Sequence, residues 1–323
     1  MSNSSTHYFK MATKVMWVLV TTFILSACNP EDSTKRSIVD NENLRFDSNF
    51  KSLPSEQYSE PLADPTPESW GTPNEPAGFV PIVERSFNTK ANSDGDRGVG
   101  SFPNKTGGSE GWDGYEAREP NLTIVDAPLD PLSPGSAMRF TYPVGLAAGN
   151  GPGVAQTVGL GSPRKLYVRT SIRLGPSYYT DGVSNKLYFH RMNGEKRGEP
   201  FLALFSNGDA TFQLAVNFQG TPDNVFGWYF ADGAARSLSK ETWYVIETLL
   251  TPNSSEGTPD GTFQVFLNGD LVFERNDVEY ITVSNRDTFS AFHVSPTFGG
   301  SNGGANDTEF YWDLGHVYVS GSP

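Results

Sequence analysis

The chain has 323 residues and a formal net charge of −13, with 24 Lys and Arg against 37 Asp and Glu. An acid excess of this size leaves no domain-wide basic footprint, which excludes a nucleic-acid binder. Aromatic residues at 13%, 33 Gly, 23 Pro and a mean hydropathy of −0.42 describe a turn-rich globular domain joined to a polar segment, and exclude a bundle of long helices.

Lys10 and Lys14 precede the apolar run VMWVLVTTFIL (15–25), which is too short to span a bilayer comfortably. The run ends in Leu25-Ser26-Ala27-Cys28, which resembles a bacterial lipobox. The resemblance implies that residues 1–27 are a lipoprotein signal and that Cys28 carries the lipid. Such a protein sits in the cell envelope, at the outer membrane or cell surface, and meets the membrane through Cys28. An ordinary cleaved signal with a leftover thiol is the competing reading. Cys28 is the chain's single cysteine, so no intramolecular disulfide forms. Residues 28–78 read as a disordered acidic tether, since 29–78 holds ten acids against four bases and shows no sustained apolar period. A folded domain then occupies 79–323, opening on FVPIVERSF.

Short strand candidates follow: NLTIVDA (121–127), AMRFTYPV (137–144), LYVRTSIRL (166–174), NKLYFHRM (185–192) and PFLALFS (200–206). ATFQLAVNFQG (210–220), NVFGWYFA (224–231) and TWYVIETLLT (242–251) come next. TFQVFLNGDLVFE (262–274), FSAFHVSP (289–296) and EFYWDLGHVYVS (309–320) close the chain. Asn-Gly pairs at 193–194, 207–208 and 268–269 are hairpin signals. Many short strands and no helix predict an all-β fold, a single antiparallel β-sandwich or jelly roll.

Between Arg164 and Arg197 stand eight Lys or Arg and two acids, an inversion of the overall charge. Period-2 alternation places Leu166, Val168, Ile172 and Leu174 on a core face, and Tyr167, Arg169 and Arg173 on the other. The same rule sends Leu187 and Phe189 inward and Lys186, Tyr188 and His190 outward. Strand 210–220 adds Gln213 and Asn217 to an outward face. Cations, rings and amides on one surface suit an acidic polysaccharide: rings cover apolar sugar faces, amides bond hydroxyls and Arg pairs with carboxylate. Tyr167, Arg169, Arg173, Gln213 and Asn217 are the substrate-binding candidates. β-Elimination of a uronate further needs a base and an acid, for which His190, Tyr188 and Lys186 are the candidates, with no cofactor required. A non-catalytic, lectin-like module or a structural envelope protein on the same fold is the alternative.

The run WYVIETLLTPNSSEGTPDGTFQVFLNGDLVF (243–273) and the tail PTFGGSNGGANDTEFYWDLGHVYVSG (296–321) resemble concanavalin A-like jelly rolls of bacterial secreted proteins. Some of these are polysaccharide lyases of the family-14 and family-20 type. The resemblance implies that fold over roughly 160–323, and a calcium held by Asp307 and Asp313 with backbone carbonyls. A Glu-x-Asp-x-x-Glu glucanase strand and His spacings suited to a metal are absent from the sequence.

Overall fold

Sixteen strands form among the described residues, and no helix. The computed structural model describes residues 72–85, 87, 112–117, 121–157, 160–180, 184–192, 199–206, 211–219, 229–231, 237–280, 287–299 and 304–323. All lie in the compact unit Asn49–Pro323. Cys28, the signal and the tether through residue 71 lie outside them, as do the Asn-Gly pairs at 193–194 and 207–208.

In chain order the first strands are β1 (Val80–Arg85), β2 (Trp112–Ala117), β3 (Leu122–Ala127), β4 (Gly135–Tyr142), β5 (Gly153–Thr157) and β6 (Lys165–Leu174). Then come β7 (Asn185–Met192), β8 (Glu199–Ser206), β9 (Thr211–Gln219), β10 (Tyr229–Phe230) and β11 (Ser237–Ser239). The last are β12 (Trp243–Thr251), β13 (Gly261–Leu267), β14 (Asp270–Val278), β15 (Phe289–Phe298) and β16 (Phe310–Ser322). The first sheet runs β14-β13-β12-β6-β16-β4-β3, with β1 on β16. The second runs β10-β9-β8-β7-β15-β5-β2, with β11 on β9. Every strand pair within these sheets is antiparallel. The architecture is therefore an all-β jelly-roll sandwich.

One apolar cluster fills the space between the sheets. Leu166, Val168, Ile172 and Leu174 of β6 enter it from one side, and Phe212, Leu214, Val216 and Phe218 of β9 from the other. Each such side chain contributes roughly 1.5–3 kcal/mol by leaving water. Phe140 stacks on Trp312 at 4.8 Å, and the Trp312 indole N–H donates to the Tyr142 hydroxyl at 3.2 Å. Asn268 and Gly269 join β13 to β14 with φ of 50° and 87°, the two left-handed residues of a tight hairpin.

Two features depart from the alternation read in the sequence. β7 steps two residues, from Lys186 to Tyr188, while β8 steps one, from Ala203 to Leu202. Leu187 is thus the extra residue of a bulge, and both Leu187 and Tyr188 join the core. Every side chain beyond it changes face. The second concerns residues 72–78, assigned to the tether by composition. Asn74 Nδ2 donates to Glu247 Oε1 at 2.9 Å and to the Gly269 carbonyl at 3.1 Å, and the Tyr318 hydroxyl donates to Glu75 at 2.9 Å. These residues form a strap across the outer face of the first sheet.

Candidate functional site

β6 and β7 belong to different sheets, so the cations they carry do not share a surface. Tyr167, Arg169 and Arg173 project from the outer face of the first sheet, where each has a structural partner. Thr123, Arg139, Asp313, Arg173 and Trp243 form one row across five strands. Asp313 is fully buried, and Arg139 and Arg173 each donate two hydrogen bonds to its carboxylate, the shortest from each at 2.7 Å. Arg139 also lies 3.6 Å from the Tyr311 ring centre, and Arg173 5.4 Å from that of Trp243. The Tyr167 hydroxyl donates to Glu247 Oε2 at 2.5 Å, and the Arg169 guanidinium sits 5.3 Å over the Tyr318 ring. Burial, reinforced by the adjacent Glu247, pushes the Tyr167 phenol far above its ordinary range. A Cβ on Gly315 would collide with Asp130 Oδ2 and Ser171 Oγ, so the loop bearing Asp130 closes tightly on this face. These residues hold the sheet and its coverings together; they do not present a groove.

The same geometry bears on the calcium expectation. Both Asp313 oxygens are occupied by guanidiniums. Asp307 is exposed and accepts from Thr308 Oγ1 at 3.1 Å. Among the described residues no group of three or more His, Cys, Asp or Glu is placed to hold a metal.

The bulge in β7 turns His190 and Tyr188 into the core, against their expected outward placement. The His190 ring accounts for both its nitrogens: one lies 3.2 Å from the Pro200 carbonyl and the other 2.9 Å from Thr248 Oγ1. A carbonyl only accepts, so Nδ1 carries the proton and Nε2 accepts from the Thr248 hydroxyl. Burial pushes the imidazole down to about 3, partly offset by the Pro200 contact. The Tyr188 hydroxyl lies 3.5 Å from Thr170 Oγ1, and burial raises its phenol. Neither group reaches a ligand on an outer face.

What the bulge withdraws from the second sheet's outer face it replaces with Phe189 and Arg191. His293 of β15, Phe189 of β7, Phe201 of β8 and Asn217 of β9 form one cross-strand row. Thr297, Lys186, Ala203 and Ala215 form the next. Phe189 and Phe201 rings lie 4.8 Å apart, and Lys186 Nζ is 5.7 Å and 5.0 Å from their centres. Half-burial lowers the Lys186 ammonium from its usual range. Gln213, diagonal to this row, donates to the Ala231 carbonyl at 2.7 Å. The His293 ring is 6.1 Å from that of Phe189, is 8% exposed, and has no hydrogen-bond partner at Nδ1. Burial first and the Arg191 charge second push it down to about 4, so it is neutral at pH 7. Arg191 stands 3.5 Å from Glu199.

Of the eight residues expected on one surface, Lys186, Gln213 and Asn217 share this face. Tyr167, Arg169 and Arg173 are on the other sheet, and Tyr188 and His190 are inside. His293 is the addition that the sequence carried openly, because Phe292 and Val294 flank it as core residues. The face brings a desolvated amine, a neutral imidazole and amides around an aromatic floor. Phe189 and Phe201 are themselves buried, at 9% and 2% exposure, so the chemistry this set offers is proton exchange at the half-buried amine beside a covered aromatic pair.

No family model matches the sequence, and no curated protein matches it. Solved structures do. The alginate lyase Aly36B superposes with a TM-score of 0.53 at 15% identity, over 73% of this chain and 95% of its own. A variant of that lyase, with a lysine and a tyrosine replaced by alanine and in complex with an alginate tetrasaccharide, gives 0.51 at 15% identity over 75% and 96%. The alginate lyase vAL-1 from a Chlorella virus gives 0.50 at 13% identity, over 67% and 94%. The chain has the jelly-roll fold of these polysaccharide lyases.

Proposed function

We propose that the outer face of the second sheet binds a uronate-type acidic polysaccharide and cleaves it by β-elimination. The observation that carries this is the half-buried Lys186 amine above the Phe189–Phe201 pair. The alginate lyases of similar fold, one of them holding an alginate tetrasaccharide, support the same substrate class. A lysine whose ammonium is destabilised by burial has a larger neutral fraction near pH 7, and the neutral amine is the base. Nζ takes the proton from C5 of the uronate, the C4–O bond breaks as the C4=C5 double bond forms, and the leaving oxygen receives the proton from the Lys186 ammonium. Gln213 and Asn217 flank the floor as hydroxyl partners. No cofactor enters these steps. Cys28 bears the lipid that places the domain at the cell envelope in this reading, which labelling with a fatty acid and a Cys28→Ala control would check.

The test is ultraviolet absorbance of the unsaturated product when the full chain meets alginate, glucuronan or pectate. A rise with one polymer, reduced roughly 10²–10⁴-fold in Lys186→Ala with oligosaccharide binding retained, is expected. Binding without any rise would replace cleavage with a lectin-like role. No binding to any uronate polymer would overturn the reading.

A further inference from the structure

Resting on that reading, we infer that His293 is the residue that holds the carboxylate of the bound uronate, through a hydrogen bond donated by its Nδ1–H. Three observations converge on this ring. It lies in the row that forms the floor, next to Phe189, which Lys186 approaches from the adjacent row. It is more than nine-tenths buried, and its Nδ1 finds no acceptor among the described residues. The charge of Arg191 is felt at the ring, although Glu199 stands 3.5 Å from that guanidinium.

A buried polar atom without a partner costs free energy comparable to a lost hydrogen bond, and a bound ligand is one way to complete it. An anionic acceptor is the better completion here, because hydrogen bonds to ionised groups are the stronger ones. The consequence for the reaction is direct. A uronate sheds its C5 proton only when its carboxylate is neutralised, and a neutral imidazole does this without taking up the proton that Lys186 must remove. The guanidiniums expected to play this part, Arg169 and Arg173, are on the other sheet. Specificity follows: the site discriminates by the carboxyl group, and the amides Gln213 and Asn217 tolerate variation in the hydroxyls.

The experiment compares a uronate oligosaccharide with its carboxyl-reduced counterpart on the full chain, by calorimetry and by ¹⁵N spectra of the imidazoles. Wild-type protein is expected to prefer the carboxylated ligand by roughly 10–100-fold, with the His293 Nδ1 resonance shifting for that ligand alone. His293→Phe should remove the preference and leave affinity for the reduced ligand unchanged. His293→Asn, whose amide N–H falls near the Nδ1 position, should restore part of it. Equal losses for both ligands in His293→Phe, or an unmoved Nδ1 resonance, overturn the role of His293 and leave the uronate reading standing. A wild-type protein that binds neither ligand defeats the uronate reading itself. Circular dichroism of each variant separates these outcomes from misfolding.

Discussion

His190 and Thr248 connect the two sheets through the core, with Nε2 accepting from the hydroxyl at 2.9 Å, while Nδ1 of the same ring holds the Pro200 carbonyl within its own sheet. The ring packs edge-on against Tyr188 and Phe263, so its polar edges are satisfied and its faces are apolar contacts. His190→Phe should therefore cost about 2–6 kcal/mol, because two buried partners are left unmade at about 1–3 kcal/mol each. Urea midpoints at pH 7 measure this. Oligosaccharide binding by the folded variant should be unchanged.

The same residue makes the fold acid-sensitive. Its ordinary value is 6.5 and in the folded chain it is pushed down to about 3. The unfolded chain thus binds the extra proton between these values, so stability is full above about pH 6.5 and falls as pH drops towards 3. At 1.36 kcal/mol per unit the loss is on the order of 4–5 kcal/mol across that window. His190→Phe should flatten the slope of urea midpoint against pH between 6 and 4, taken as rough limits of the window. An unchanged slope would assign the acid sensitivity to other groups, such as His293, which burial also pushes down.

Asp313 with Arg139 and Arg173 gives a sharper alternative to calcium. Removing the carboxylate in Asp313→Ala leaves two partly exposed guanidiniums facing a buried hole. The cost should approach the roughly 3–5 kcal/mol of a broken buried pair, reduced by their access to water. Added calcium should not restore it, and a chelator should leave the wild-type melting temperature in place. A chelator-induced fall would mean that a metal binds elsewhere.

How much of this was legible depended on what the alternation could not contain. The β6 pattern assigned Leu166, Val168, Ile172 and Leu174 inward correctly, because a regular strand keeps its period. In β7 the period breaks at Leu187, and nothing in NKLYFHRM marks a bulge: Leu187, Tyr188 and Phe189 all suit either face. One extra residue was enough to move His190 from solvent to core and Phe189 the other way. The second failure was pairing. β6 and β7 are consecutive strands, yet β6 lies between β12 and β16 and β7 between β8 and β15, a long-range choice that local spacing does not record. β2, β5 and β11 also went unread, the last being three residues long.

Glu247 is fully buried beneath the strap, bonded to Tyr167 from its own sheet and to Asn74 from the strap. A chain shortened to begin at Phe79 should lose about 1–3 kcal/mol, since a buried acceptor then lacks its donor. Asn74→Ala should reproduce most of that loss. If the shortened chain melts with the full one, residues 72–78 are tether after all.

The charge inversion at 164–197 divides into two populations with opposite predicted behaviour. Arg173 neutralises Asp313 and Arg169 lies against Tyr318, both on the first sheet. Arg169→Ala and Arg173→Ala should therefore lower stability while leaving oligosaccharide affinity and its salt dependence as they were. Lys186 is on the other sheet, half-buried over Phe189 and Phe201. Lys186→Ala should flatten the fall in affinity with added salt, because any cationic fraction at that position is screened by it. Affinity titrations at two ionic strengths on the three folded variants read both effects at once. Weakened binding in the Arg variants at full foldedness would return the anion site to the first sheet.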